Sequence, residues 1–222
     1  MNRALQAAIF DWDGVVIDSS QHHEESWERL AKETGLTLPP DHFKKGFGMK
    51  NEVIIPKLLQ WTDEPKAIRE LSLRKEALYR EVVVDWGIEA LPGVKELLQA
   101  LIEAGIPRVI GSSTHRENIS TALSLLGFQD AFTAITTAED VSHGKPDPEV
   151  FLKCAEKAGA DPKSCVVFED ALVGIEAGHR AGMKVVAVAT TNDSERISHA
   201  DRTVHRLTEI DIDQLERLFS NG

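Results

Sequence analysis

Short apolar runs alternate with stretches in which apolar residues recur every three or four positions, and this rhythm fills the chain from Pro92 onward. Val94, Leu97, Leu98 and Leu101 share one helical face, and Gly105 ends that run. Residues 108–112 read as a strand. Ile119, Ala122, Leu123 and Leu126 line the next helix, closed by Gly127, and residues 132–135 read as a short strand. A helix is expected over 150–158, with Asp147 as its N-cap and Pro148 in its first turn. A strand over 165–168, a helix over 175–181 stopped by Gly182, and a strand over 184–188 follow.

The first half has a different texture. An apolar run through Ile9 and Phe10 reads as a strand, but nothing between residues 21 and 80 does. There, Trp27, Leu30, Ala31 and Thr34 recur at helical spacing up to Gly35, and Pro39-Pro40 breaks the chain. Two further helical stretches are expected over 52–60 and 65–80, after which Val82-Val83-Val84 leads back towards Pro92-Gly93. Strands alternating with helices imply an α/β fold with a doubly wound, Rossmann-like parallel sheet. The helical block is an insertion after the first strand. The expected division is a core domain of residues 1–18 and 88–222 and a helical domain of residues 19–87, with hinges near 16–20 and 82–90.

Composition narrows the partners. The chain has 222 residues, 42% hydrophobic and 27% charged, which is ordinary for a globular protein with a full core. Its formal charge of −11 argues against nucleic acid and anionic membrane, both of which reward clustered Lys and Arg. An acidic protein that takes an anionic substrate needs local positive charge, from a divalent cation and a few placed basic side chains. Cys154 and Cys165 read as small core residues, with no disulfide or metal-type spacing. No targeting pattern and no membrane-length apolar run is visible, so a cytoplasmic location is expected, and a monomer is the default where the sequence does not read out assembly.

The chemistry begins at Asp11-Trp12-Asp13-Gly14. Alternation along an extended chain puts Asp11 and Asp13 on one face and Trp12 on the other. Two carboxylates cannot crowd a partly buried site without a proton or a cation to compensate them. The pair is therefore either a general acid beside an ionised partner or part of a metal site. In parallel α/β sheets, ligands bind beyond the carboxyl ends of the strands. Three more polar groups are expected on that rim: Ser112-Ser113-Thr114, Gly144-Lys145-Pro146-Asp147-Pro148, and Glu169-Asp170.

These four segments, with the helical insertion after the first and the run Phe168-Glu169-Asp170-Ala171-Leu172-Val173-Gly174, resemble the haloacid dehalogenase superfamily. The likeness is to the branch of β-phosphoglucomutase and small sugar-phosphate phosphatases, and it extends over nearly the whole chain. It implies that the insertion is an α-helical cap and that Asp11 is a nucleophile, phosphorylated in turnover. It implies that Asp13 is the acid/base residue, its main-chain carbonyl also serving the metal, since dehalogenating relatives lack this second aspartate. Ser112 and Lys145 are implied to hold the phosphoryl group, and Asp11, Asp13, Glu169 and Asp170 to bind Mg²⁺, for which oxygen-only ligands suit. Substrate contacts are implied for Ser113, Thr114 and Arg116 on the rim and for His23 and Lys50 in the cap, where Trp27 reads instead as a core aromatic.

The mutase branch carries an arginine after Lys-Gly in the cap to bind a second phosphate. Here Lys45-Gly46-Phe47-Gly48-Met49-Lys50 offers Met49 or Lys50, and lysine is a poorer bidentate grip. The expected function is therefore Mg²⁺-dependent hydrolysis of a small phosphorylated metabolite, a sugar phosphate foremost. A β-phosphoglucomutase-type mutase is the alternative. A phosphonatase using Lys44, Lys45 or Lys50, and a phosphorylatable binding module, are minor ones. His143, His179, His199 and His205 are read as structural.

Overall fold

The structure, a computed structural model, describes residues 4–46 and 49–220. Phe47 and Gly48 of the cap segment lie outside the described residues. In chain order the elements are β1 (Ala7–Phe10), α1 (Ser20–Thr34), α2 (His42–Gly46), α3 (Asn51–Val53) running into a π-helical turn (Ile54–Leu58), and α4 (Pro65–Trp86). They continue with α5 (Val94–Glu103), β2 (Arg108–Gly111), α6 (Arg116–Leu126), β3 (Ala134–Thr136), α7 (Glu149–Ala158) and β4 (Cys165–Glu169). The last are α8 (Leu172–Arg180), β5 (Lys184–Val188), β6 (Arg202–Val204) and α9 (Ile212–Arg217).

The six strands form one sheet in the order β3-β2-β1-β4-β5-β6, every pair parallel. The chain winds outward from β1 through β2 to β3, then returns to β1's other side and winds outward again through β4, β5 and β6. The strand order therefore reverses beside β1, where loops leaving β1 and β4 part and open a crevice. Phe10 pairs in register with Phe168, so β1 and β4 end at the same level. Their rings stack with centroids 4.6 Å apart, and Phe132 meets Phe10 edge-on at 5.9 Å. One face of the sheet is sealed by α7 and α8, whose Phe151, Cys154 and Ile175 pack with Ile9, Val109, Val167 and Val185. Continuous apolar strands such as Lys184–Val188 follow from burial on both faces.

Residues up to Asp18 and from Glu89 onward form one compact unit, and Ser19–Ile88 form a second, wholly helical one. The helical unit has its own core of Trp27, Leu30, Ile54, Ile55, Leu59 and Leu78. Helix α4 starts at Pro65, with the Glu64 carboxylate accepting from the amides of Lys66 and Ala67. Among the described residues no helix is long and apolar enough to cross a membrane.

Several local expectations need correction. Strand β3 begins at Ala134, because Phe132 is drawn under β1 against Phe10 and Trp12 and does not join the ladder. Val82, Val83 and Val84 continue α4 as far as Trp86; Val82 and Val83 are buried on its apolar face, which outweighs the weak helix preference of β-branched residues. Pro148 takes the N-cap position of α7, while Asp147 stands one residue earlier and accepts the Glu149 amide at 2.9 Å. The region around His199 and His205 contains a sixth strand and precedes a final helix.

Candidate active site

The crevice beside β1 collects the acidic residues. Asp11 follows the last residue of β1, held by its amide bond to the Phe168 carbonyl at 2.9 Å. Glu169 ends β4 and Asp170 follows it. All three are buried, and one carboxylate oxygen from each lies within 4.8 Å of the others. Lys145 arrives from the loop before α7. Its ammonium donates to Asp11 Oδ1 and to Glu169 Oε1, both at 2.7 Å, and lies 4.8 Å from the centre of the Phe151 ring. Its side chain is only 7% exposed, so these are desolvated, charge-assisted bonds and not surface ion pairs.

Fully ionised, three carboxylates against one ammonium would leave two negative charges uncompensated. The titration of the cluster reflects this. Burial, then the charges of Glu169 and Asp11, push the Asp170 carboxyl up to about 8. Burial also raises Glu169, against the pull of Lys145. Burial disfavours the Lys145 ammonium, but Asp11 and Glu169 outweigh it and drive its pKa up. The missing charge is that of one divalent cation, and an all-oxygen, carboxylate donor set suits a hard ion such as Mg²⁺. The residues present therefore fit the metal that the family implies.

Two glycines make room for these carboxylates. A Cβ on Gly14 would lie 2.1 Å from Asp170 Oδ2, and Gly14 has φ +79°, a conformation that side-chain-bearing residues avoid. A Cβ on Gly174, in α8, would lie 1.7 Å from Glu169 Oε1. Glycine in a helix ordinarily costs about 0.5–1 kcal/mol against alanine, so Gly174→Ala would stabilise if space allowed. Here we expect the opposite: overpacking displaces Glu169 from Lys145 and from the Ala171 amide that it accepts at 2.7 Å, and urea denaturation should show a loss of about 1–3 kcal/mol. A G174A protein as stable as the parent would refute this account of the glycine.

The other rim residues are placed as follows. Asp13 is half-buried, and its Oδ2 accepts the Thr114 hydroxyl at 2.5 Å. Ser112 is buried at the end of β2; its Oγ accepts the Thr114 amide at 3.1 Å, and Ser113 is exposed beside it. Arg116 is exposed and pairs with Asp140 at 2.5 Å. Asp170 does not cap α8, since Ala171 holds that position and the Glu169 carboxylate receives its amide.

Within the helical unit, His23 stacks on Tyr79 with centroids 4.1 Å apart, and its Nδ1 lies 2.7 Å from the Lys75 ammonium. Burial and Lys75 push His23 down to about 3, so the ring is neutral and Nδ1 accepts. Lys75 also donates to Glu76 at 3.1 Å, and Glu76 accepts from Asn51 at 2.7 Å. Lys50 is exposed at the N-cap of α3, and Met49 is exposed before it. Sequence reasoning missed Lys75, and it missed Thr190, Thr191 and Asn192, whose side chains bond to Gly14 and Asp170. Their position at the carboxyl end of β5 was the available signal.

Residues 8–188 match the family model described as haloacid dehalogenase-like hydrolase. The chain belongs to this family. It is 36% identical over 214 residues to a chloroplastic 5-amino-6-(5-phospho-D-ribitylamino)uracil phosphatase from Arabidopsis thaliana, a match covering 95% of this chain but 57% of that protein's length. It is 32% identical over 204 residues to hexitol phosphatase A from Escherichia coli, covering 92% of each. Its fold matches a crystal structure of β-phosphoglucomutase from Clostridium difficile with a TM-score of 0.84, at 24% identity and 97% coverage of both chains. The chain is thus an enzyme of a hydrolase family whose named relatives include phosphatases, built on the fold that a sugar phosphomutase also uses.

Proposed function

We propose that this protein is a Mg²⁺-dependent phosphatase that hydrolyses a small phosphorylated metabolite, a sugar phosphate or its polyol counterpart, through an aspartyl phosphate on Asp11. The observation that carries the reading is Lys145 bonded at once to Asp11 and Glu169, with Asp170 alongside. A carboxylate is a poor attacker of an anion until its own charge and that of the phosphoryl oxygens are offset. Lys145 supplies one compensating charge, and Asp11, Glu169 and Asp170, with the Asp13 carbonyl, would hold the ion. Bound there, Mg²⁺ supplies charge neutralisation for attacker and phosphoryl oxygens together.

Asp11 attacks phosphorus and the substrate alkoxide leaves, protonated by Asp13. Asp13, oriented by Thr114, then takes a proton from water, which attacks the phosphoaspartate and frees inorganic phosphate. Ser112 is assigned to a phosphoryl oxygen. Ser113 and Thr114 on the rim, and His23 and Lys50 in the helical unit, are assigned to the substrate. Hydrolysis is favoured over mutation by the cap segment, where Met49 or Lys50 stands in place of the mutase arginine and lysine is the poorer bidentate grip on a second phosphate.

A panel of hexose, pentose and polyol phosphates with excess Mg²⁺ should release inorganic phosphate from at least one member, and EDTA should lower that rate by about 10²-fold or more. Isomerised sugar phosphate without free phosphate would replace this reading with the mutase. A stable phosphorylated protein with no turnover would replace it with the binding module.

A further inference from the structure

Three consecutive side chains at the exit of β5 converge on the carboxylate crevice. The Thr190 amide bonds back to the Val188 carbonyl at 2.9 Å, while the Ala189 amide is held by Val204 in β6 at 2.8 Å. The chain therefore turns sharply on leaving the sheet, and the turn aims residues 190–192 back across the end of β4. The Thr190 hydroxyl donates to the Gly14 carbonyl. The Thr191 hydroxyl donates to Asp170 Oδ2. The Asn192 amide donates to the Asp170 main-chain carbonyl at 3.0 Å. Carbonyls only accept, so the direction of the Thr190 and Asn192 bonds is fixed, and Thr191 donates wherever Asp170 carries the charge that a cation needs.

Ser, Thr and Asn in turns usually bond to their own neighbourhood, two to four residues away. None of these three does so here; their partners lie 176, 21 and 22 residues distant in sequence. The packing around Thr191 is equally specific. The space that a Cβ on Gly14 would need is taken by Asp170 Oδ2 and by Thr191 Oγ1, at 2.1 and 2.9 Å. Thr191 therefore bonds one oxygen of Asp170 and restricts how that carboxylate can turn, while Thr190 anchors the Asp13–Gly14 turn through the Gly14 carbonyl.

We propose that Thr190, Thr191 and Asn192 are positioning residues for the divalent ion, holding the Asp170 carboxylate and the Asp13–Gly14 turn in the arrangement that receives it. This rests on the Mg²⁺ reading above. Partners one step out from a metal set its affinity by fixing the orientation of its ligands, typically by 10- to 100-fold. Both threonines are exposed, so replacing them opens no cavity in the core, and melting without Mg²⁺ reads any effect on folding apart from the effect on the ion.

The test is isothermal titration of the purified full chain with MgCl₂, together with the rise in melting temperature at a fixed MgCl₂ concentration. Thr191→Val should weaken Mg²⁺ binding by about tenfold, and Thr191→Ser should return it to within about twofold of the parent. With p-nitrophenyl phosphate as substrate, the Mg²⁺ concentration for half-maximal rate should shift by the same factor, with most of kcat regained at saturation. Thr191→Ala gives the same reading should the valine variant not fold. Unchanged Mg²⁺ affinity in a folded T191V or T191A protein overturns the positioning role and leaves the metal site standing. A parent protein that takes up no Mg²⁺ overturns both.

Discussion

Asp11→Asn removes turnover without loosening the fold. The substitution keeps the shape of the side chain and still offers Lys145 an oxygen to bond, but an amide oxygen is not a nucleophile towards a phosphoryl group. Replacing an attacking residue outright costs far more than removing a supporting one, so phosphate release should fall by about 10⁴-fold or more. Stability should move the other way. Asp11 shares a buried space with Glu169 and Asp170, and ionising all three puts more negative charge there than Lys145 can balance. Neutralising one relieves that repulsion, while Lys145 keeps its bond to Glu169. In metal-free buffer the melting temperature of D11N should equal or exceed that of the parent, the signature of a residue kept for chemistry at the expense of stability. Activity within tenfold of the parent, in protein shown by mass to be fully D11N, would remove Asp11 from the mechanism.

The contrast between rim and interior explains what the chain discloses before its structure is known. Long apolar runs and helical faces announce themselves, and β5 comes out at Lys184–Val188 as expected. Boundaries are misread where a tertiary contact overrides a local preference. Phe132 has the composition of a strand residue, yet it is spent packing against Phe10 and Trp12. β6 is a three-residue edge strand, Arg202–Val204, whose first residue is exposed, and so short an element carries almost no periodic signal. In the site, Asp11, Glu169 and Asp170 were legible as acidic residues at strand ends, while Lys145, in a loop, was legible only through the family resemblance. Thr191 was not, since hydroxyl residues after a strand resemble ordinary turn formers. Lys75 was hidden for a related reason. A lysine within an amphipathic helix reads as solvent-facing, yet here it is 3% exposed between His23 and Glu76.

Lys145→Met should damage stability and rate together, and Mg²⁺ should repair only the first. Methionine matches much of the lysine stem, so the loss is mainly that of the ammonium, with its bonds to Asp11 and Glu169 and its place over the Phe151 ring. Without it, Asp11 and Glu169 face each other and Asp170 with no compensating charge. Breaking one side of a buried ion pair typically costs about 3–5 kcal/mol, because the partner left behind stays desolvated. In a chain of this size that is roughly a 6–20 °C fall in melting temperature. The sign of the metal effect follows from the charge count. A divalent ion shared by the three carboxylates offsets part of the repulsion that methionine uncovers, so Mg²⁺ should stabilise K145M by more than it stabilises the parent. It cannot replace the bonds that Lys145 makes to Asp11 and Glu169, or a donor directed at the phosphoryl oxygens. The rate at saturating Mg²⁺ should therefore stay about 10²–10³-fold down, the usual loss for one preorganised electrostatic group. Thermal melts with and without Mg²⁺, paired with phosphate release on the same preparations, separate the two effects. Parent-like melting of metal-free K145M would mean that the lysine balances nothing, and parent-like turnover would mean that Asp11 attacks an anion without its help.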